Sequence, residues 1–236
     1  MSVYSQCCAP QARAPSHCWD LSDLVEIRVT QGQETEKFIM IRPLLCFHSS
    51  FFRKLLDPNG PFKENGAKIV DIQDDIKVFV AMQRWIHTGH INDVGVKTLP
   101  LALCKIWVFA DKRGMPGLAN DAIDALHEYT AYHGTIPTPT IPYILENTLP
   151  ESKLYKFLHA QYSAIQSNKS LVNDIERALR PDVFDEATKS FLLMQLRTRI
   201  DFGGPATKEV EYKRPQEWVF EDRCRWHQHG PRGTFD

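Results

Sequence analysis

The amino-acid sequence predicts an α+β fold: a small sheet built on a hairpin and flanked by helices, followed by an all-helical extension. Three observations lead there. Two neighbouring runs near residues 24–29 and 37–41 carry β-branched and aromatic residues, with Gln31-Gly32-Gln33 as a turn between them. From Ile76 onward the apolar residues recur at helical spacing instead. A stretch with three prolines, Pro137, Pro139 and Pro142, then separates this region from further helical spacing.

Each element has its own reason. Val25, Ile27 and Val29 share one face of the first run, which suits a pleated, half-buried surface. Pro43 cannot donate to a sheet ladder but fits a first helical turn, so a short helix is expected over 43–47. Ser49 and Ser50 offer a hydroxyl cap for a second helix over 51–56, which the turn-formers 57–61 must end. Residues 68–72 alternate and read as a third strand. Asp74-Asp75 can cap the next helix, in which Ile76, Phe79, Val80, Met82, Trp85 and Ile86 form a stripe closed by Thr88-Gly89. Helices over 99–112 and 118–132 follow, separated by Arg113-Gly114-Met115-Pro116. Beyond the prolines, helices are expected over 141–147, 152–167, 171–178 and 181–199. The organisation is then a disordered tail over 1–18, a domain over 19–132, a proline-rich linker over 133–142, a helical extension over 143–200 and an irregular tail over 201–236.

Composition narrows the function. The 236 residues carry a formal net charge of −1, so no global field steers the chain to nucleic acid or an anionic membrane. No apolar run reaches the ~18 residues of a spanning helix, and the first residues do not read as a secretory signal. Of the six cysteines, Cys46 and Cys104 sit in apolar segments as reduced, buried thiols; Cys7, Cys8, Cys18 and Cys224 show no disulfide-framework spacing. A cytoplasmic or nuclear location is expected.

Candidate chemistry is sparse. Glycine-rich nucleotide loops and the nucleophile-elbow pattern are both missing from the sequence. Asp74-Asp75 reads as helix capping rather than an acid–base pair. His87 and His90 straddle a helix-ending glycine with no further ligand nearby in sequence. Cys224, His227 and His229 cluster, but would need a fourth ligand such as Cys7, Cys8 or His17 to close a structural zinc site. The basic-aromatic patch Arg223, Arg225 and Trp226 is nearly cancelled by Glu217, Glu221 and Asp222. Leu101, Ile106, Trp107, Val108 and Phe109 read as core rather than a ligand pocket. The expectation is no catalytic residue, no cofactor, no metal, no small-molecule substrate, no nucleic acid and no membrane.

The ordered set of segments resembles the BTB/POZ family in its fungal form. Ser22-Asp23-Leu24-Val25 resembles the family's opening Ser-Asp-Val motif. The run from Phe38 to Phe52 is similar to its Phe-x-Val-His-Lys-x-x-Leu-x-x-x-Ser-x-x-Phe core, and Phe62-Lys63-Glu64 to its Phe-x-Glu element. Phe79, Trp85 and Thr88-Gly89 resemble the long helix and its Tyr-Thr-Gly ending; Ala110-Asp111-Lys112 with Met115-Pro116 and Leu118 resembles the helical hairpin. The match covers about residues 19–132, and the Ile-Pro-Thr linker with the run 152–158 extends it to about residue 200. Ile41 stands where the family has histidine, and His87 where it has tyrosine.

The resemblance implies a non-enzymatic protein–protein interaction module with a BTB/POZ fold. It implies a substrate adaptor for a cullin-type ubiquitin ligase, with Phe62, Glu64 and the helix start at Leu99 meeting the cullin scaffold. It also implies a charged dimer pocket of Asp23 and Arg42, although the N-terminal helix that swaps between subunits in some homodimers has no counterpart in 1–18. Two alternatives stay open: a transcription-linked or structural scaffold without a cullin partner, and an enzyme with an unrecognised site.

Overall fold

In the computed structural model, residues 13–60, 68–91, 100–133, 140–158 and 223–229 are described. They form a mixed α and β structure. Their elements are strands β1 (Leu24–Gln31), β2 (Glu34–Ile41) and β3 (Ile69–Gln73), and helices α1 (Arg42–His48), α2 (Ser50–Leu55), α3 (Ile76–Thr88), α4 (Pro100–Lys112), α5 (Pro116–His133) and α6 (Ile141–Asn147). Short 3-10 turns occupy Ser16–Trp19 and Arg223–Arg225.

β1 and β2 pair antiparallel from Leu24↔Ile41 to Gln31↔Glu34, leaving a two-residue turn. Gly32 opens that turn at φ 62°, a left-handed conformation that glycine adopts without steric cost. The strands therefore run closer to the turn than the hydrophobic pattern alone suggests. β3 pairs parallel with β1, so the order is β2-β1-β3 and β1 is central. This explains the burial of Val25, Ile27 and Val29, whose inner row continues through Phe38 and Met40 on one side and Val70 and Ile72 on the other. Phe38 meets Phe79 of α3 at 4.7 Å between ring centres, and Phe79 meets Phe109 of α4 edge-on at 6.2 Å. Each fully buried side chain of this kind contributes roughly 1.5–3 kcal/mol.

Caps set the helix ends. Ser49 Oγ accepts from Phe52 N at 3.1 Å, starting α2, and donates to Arg113 O at 2.6 Å, tying α2 to the turn between α4 and α5. Gly114 in that turn has φ 59°, and a Cβ there would collide with the Ser50 side chain. Glycine is needed at this position for backbone conformation and for close approach alike. α3 ends at Gly89 (φ 74°), whose N–H donates to Trp85 O.

The described residues fall into two compact units, one running to residue 126 and taking in 227–229, the other made of residues from 127–158 and 223–226. The first contains the sheet and α1–α4. The division lies inside α5. In the second unit Ile141, Ile144, Leu154, Phe157, Leu158 and Trp226 are buried. Phe157 packs edge-on against Trp226 at 5.5 Å, and Lys153 Nζ donates to Arg225 O at 2.8 Å.

Some expectations shift. The segment expected to be a disordered tail contains the Ser16–Trp19 turn, with Cys18 buried. The C-terminal tail, expected to be irregular, contributes buried Trp226 and His227. Single turns carry no hydrophobic period, so a periodicity reading passes over them. The helix expected over 141–147 is α6, with proline in its first turn. The helices expected over 171–178 and 181–199, and most of 152–167, lie outside the described residues.

Candidate functional site

Of the five site residues expected from sequence, Asp23 and Arg42 come together. Arg42 Nε lies 3.1 Å from Asp23 Oδ1, and Arg42 N donates to Asp23 O at 2.9 Å. The antiparallel register brings them together, since Asp23 precedes β1 and Arg42 follows β2. Phe62, Glu64 and Leu99 lie outside the described residues.

The open face of the sheet carries a feature that sequence reasoning missed. Glu26 on central β1 is flanked by Ile39 of β2 and Ile69 of β3 in the same row. Ile39 is 55% exposed and Ile69 44%, and Leu24, two residues before Glu26, is 42% exposed. Glu26 itself is held by Arg28 Nε at 2.7 Å. Three large apolar side chains thus lie in water around one ion pair, on the face opposite the core. A signal was present: 38–41 is apolar at every position, whereas a one-sided strand alternates.

The acidic pair does structural work. Asp75 is the cap of α3, its Oδ1 accepting from Lys77 N at 3.0 Å and Val78 N at 3.3 Å. Lys105 Nζ binds its other oxygen at 3.0 Å. Burial acts to raise this carboxyl, but the hydrogen bonds from Lys105 and the Val78 amide outweigh it and the net shift is downward. Asp74 accepts from Asp75 N and from Arg113 Nη2, the latter at 2.8 Å. The capping expectation describes Asp75; Asp74 instead anchors a buried arginine.

Of the two thiols expected to be buried, one is and the other is only half-buried. Cys104 is buried, and burial pushes the half-buried Cys46 thiol up to about 11, which disfavours the nucleophilic thiolate. Among the described residues one group of three or more donors could hold a metal: Cys224, His227 and His229, whose ligand atoms all lie within 4.8 Å of one another. His87 and His90 are not part of such a group; the Thr88 hydroxyl accepts from His90 N at 3.2 Å in the helix-ending turn.

No protein-family model matches the chain, and no curated protein is detectably similar to it. Among the described residues no helix is long and apolar enough to cross a membrane.

Proposed function

We propose that this chain is a protein–protein interaction module of the BTB/POZ kind, without catalytic activity of its own. The observation that carries the reading is the set of exposed apolar side chains Leu24, Ile39 and Ile69 on the open sheet face. An apolar surface of this sort is more useful to a partner than to the isolated chain. The element order supports the fold assignment: hairpin, two short helices, a returning parallel strand, a long helix and a helical hairpin. The Asp23–Arg42 pair supports it at the residue level.

Within this reading the partner is a cullin-type scaffold of a ubiquitin ligase, met by the 62–64 segment and the start of α4. Phe62→Ala would remove an aromatic anchor, a loss of ~2–4 kcal/mol in binding. Glu64→Ala would act more weakly, as a rim charge does. The test is direct binding of the purified chain to a cullin N-terminal domain, with the melting temperature of each variant measured alongside. Absence of binding at tens of micromolar, an affinity of roughly −6 kcal/mol or weaker, would end the adaptor reading. A parallel Ile39→Lys/Ile69→Lys variant tests the sheet face. Both side chains are exposed, so the fold should persist; unchanged retention of every partner bound by the wild type would end that assignment.

A further inference from the structure

The run 224–229 gathers three soft or borderline donors in six residues. The sulfur of Cys224 and one ring nitrogen each from His227 and His229 lie within 4.8 Å of one another. The spacing is Cys-x-x-His-x-His, and local backbone sets it: the Arg223–Arg225 turn precedes His227, and the two imidazoles sit 5.7 Å apart at 64°. A tetrahedral ion bound at about 2.3 Å to sulfur and about 2.0 Å to nitrogen needs donors about 3.5 Å apart. Small side-chain rotations would close that difference.

A second observation, independent of the donor cluster, points to the same use. His227 is 4% exposed, and its Nε2 lies 3.0 Å from Asp124 Oδ1 on α5. A carboxylate behind a histidine fixes the ring and its tautomer: with Nε2–H donated to Asp124, Nδ1 carries the lone pair that a metal takes. The intervening residue is also held. Gln228 N donates to Asn120 Oδ1 at 2.6 Å, Asn120 Nδ2 donates to Gln228 O at 3.1 Å, and Gln228 Nε2 donates to Asp111 Oδ1 at 2.7 Å. The backbone joining the two histidines is therefore pinned before any ion arrives, which lowers the ordering needed for binding.

We propose that Cys224, His227 and His229 form a site for a borderline d-block dication of the Zn²⁺ class, with Asp124 as the outer partner of His227. One thiolate and two imidazoles select such ions over Ca²⁺ and Mg²⁺, which take oxygen ligands. Among the described residues the group supplies three ligands, with His229 the exposed one. This departs from the expectation of a metal-free tail, which rested on the need for a fourth ligand. It stands apart from the interaction reading.

The test uses the untagged full chain, stripped with a chelator and titrated with Co²⁺ and then Zn²⁺. The expected result is one ion per chain, a thiolate-to-cobalt charge-transfer band with intense tetrahedral d–d absorption, and loss of both on adding Zn²⁺ but not on adding Mg²⁺ or Ca²⁺. Cys224→Ser should abolish the charge-transfer band. His229→Ala, at an exposed position, should abolish one-to-one binding without changing the melting temperature of the stripped protein. Asp124→Asn should weaken affinity roughly 10–100-fold while keeping the stoichiometry. No cobalt spectrum in the wild type would overturn the proposal. So would one-to-one binding that survives both Cys224→Ser and His229→Ala.

Discussion

The indole N–H of Trp85 donates to the Asp121 carboxylate at 2.7 Å, joining α3 to α5. Trp85 is almost wholly buried, and the same ring receives His48 edge-on at 5.2 Å. One aromatic side chain thus sits between two titratable groups that burial shifts to opposite effect.

Burial raises the Asp121 carboxyl from 3.8 to about 6, against the lowering pull of the Trp85 hydrogen bond. A folded-state value above the unfolded one means that the protonated acid favours the fold. That stability is complete below about pH 4 and is lost as pH rises through about 6. The ionised side chain therefore opposes folding at neutral pH, by up to about 3 kcal/mol. Asp121→Asn keeps an oxygen for Trp85 and removes the charge. It should stabilise the protein by about 1–2 kcal/mol at pH 7.5 and change little near pH 4, the amide N–H₂ reducing the gain where it lacks a partner. Urea unfolding of metal-free protein from pH 4 to 8 checks this; a variant that keeps the wild-type pH slope between 4 and 6 would show that Asp121 does not titrate there.

His48 runs the other way. Burial lowers its imidazole from 6.5 to about 4. A depressed folded value means stability that is present above pH 6.5 and lost as pH falls through about 4. Because the ring is partly exposed, the effect is roughly 2 kcal/mol. The losses at His48 and the gains at Asp121 overlap between pH 4 and 6, so the wild-type profile should be flatter than either group alone would give. His48→Phe keeps an aromatic ring against Trp85 and should expose the Asp121 dependence, making the variant more stable at pH 4.5 than at pH 7.5. The same urea series decides it: a variant that still loses stability on acidification would place the acid-sensitive group elsewhere.

How far the sequence reveals this structure depends on how local each cause is. Val25, Ile27 and Val29 announce a half-buried strand, and Gly32 and Gly89 announce a turn and a helix end, because each cause lies within a few residues. The Asp75 cap is legible for the same reason. The parallel pairing of β3 with β1 is not, since it is settled by which edge of a distant strand stays unpaired. The Asp23–Arg42 pair entered through family resemblance and is brought together by the hairpin register. The Ile39–Ile69 row was missed because the two residues meet only through Glu26 of the strand between them. Asp124 behind His227 is further from view, since a contact across 103 positions leaves no mark on either neighbourhood.

The Asp74–Arg113 pair permits a prediction whose sign is informative. Arg113 is 7% exposed in its side chain and Asp74 14%, so both charges have left most of their water. The guanidinium also lies over the Phe51 ring at 4.4 Å. Yet Arg113 Nε is buried without a hydrogen-bond partner among the described residues, so the arginine is only partly compensated. Removing the acid alone leaves a buried cation facing apolar neighbours, and Asp74→Ala should cost about 3–5 kcal/mol. Removing both charges removes the desolvation penalty with them. Arg113→Met added to Asp74→Ala retains an unbranched apolar side chain near Phe51, and the double variant should recover at least about 1–2 kcal/mol of the single variant's loss. Denaturant midpoints at constant m-value measure both. A double variant less stable than Asp74→Ala would mean that packing and the Phe51 contact, rather than charge burial, govern this corner of the fold.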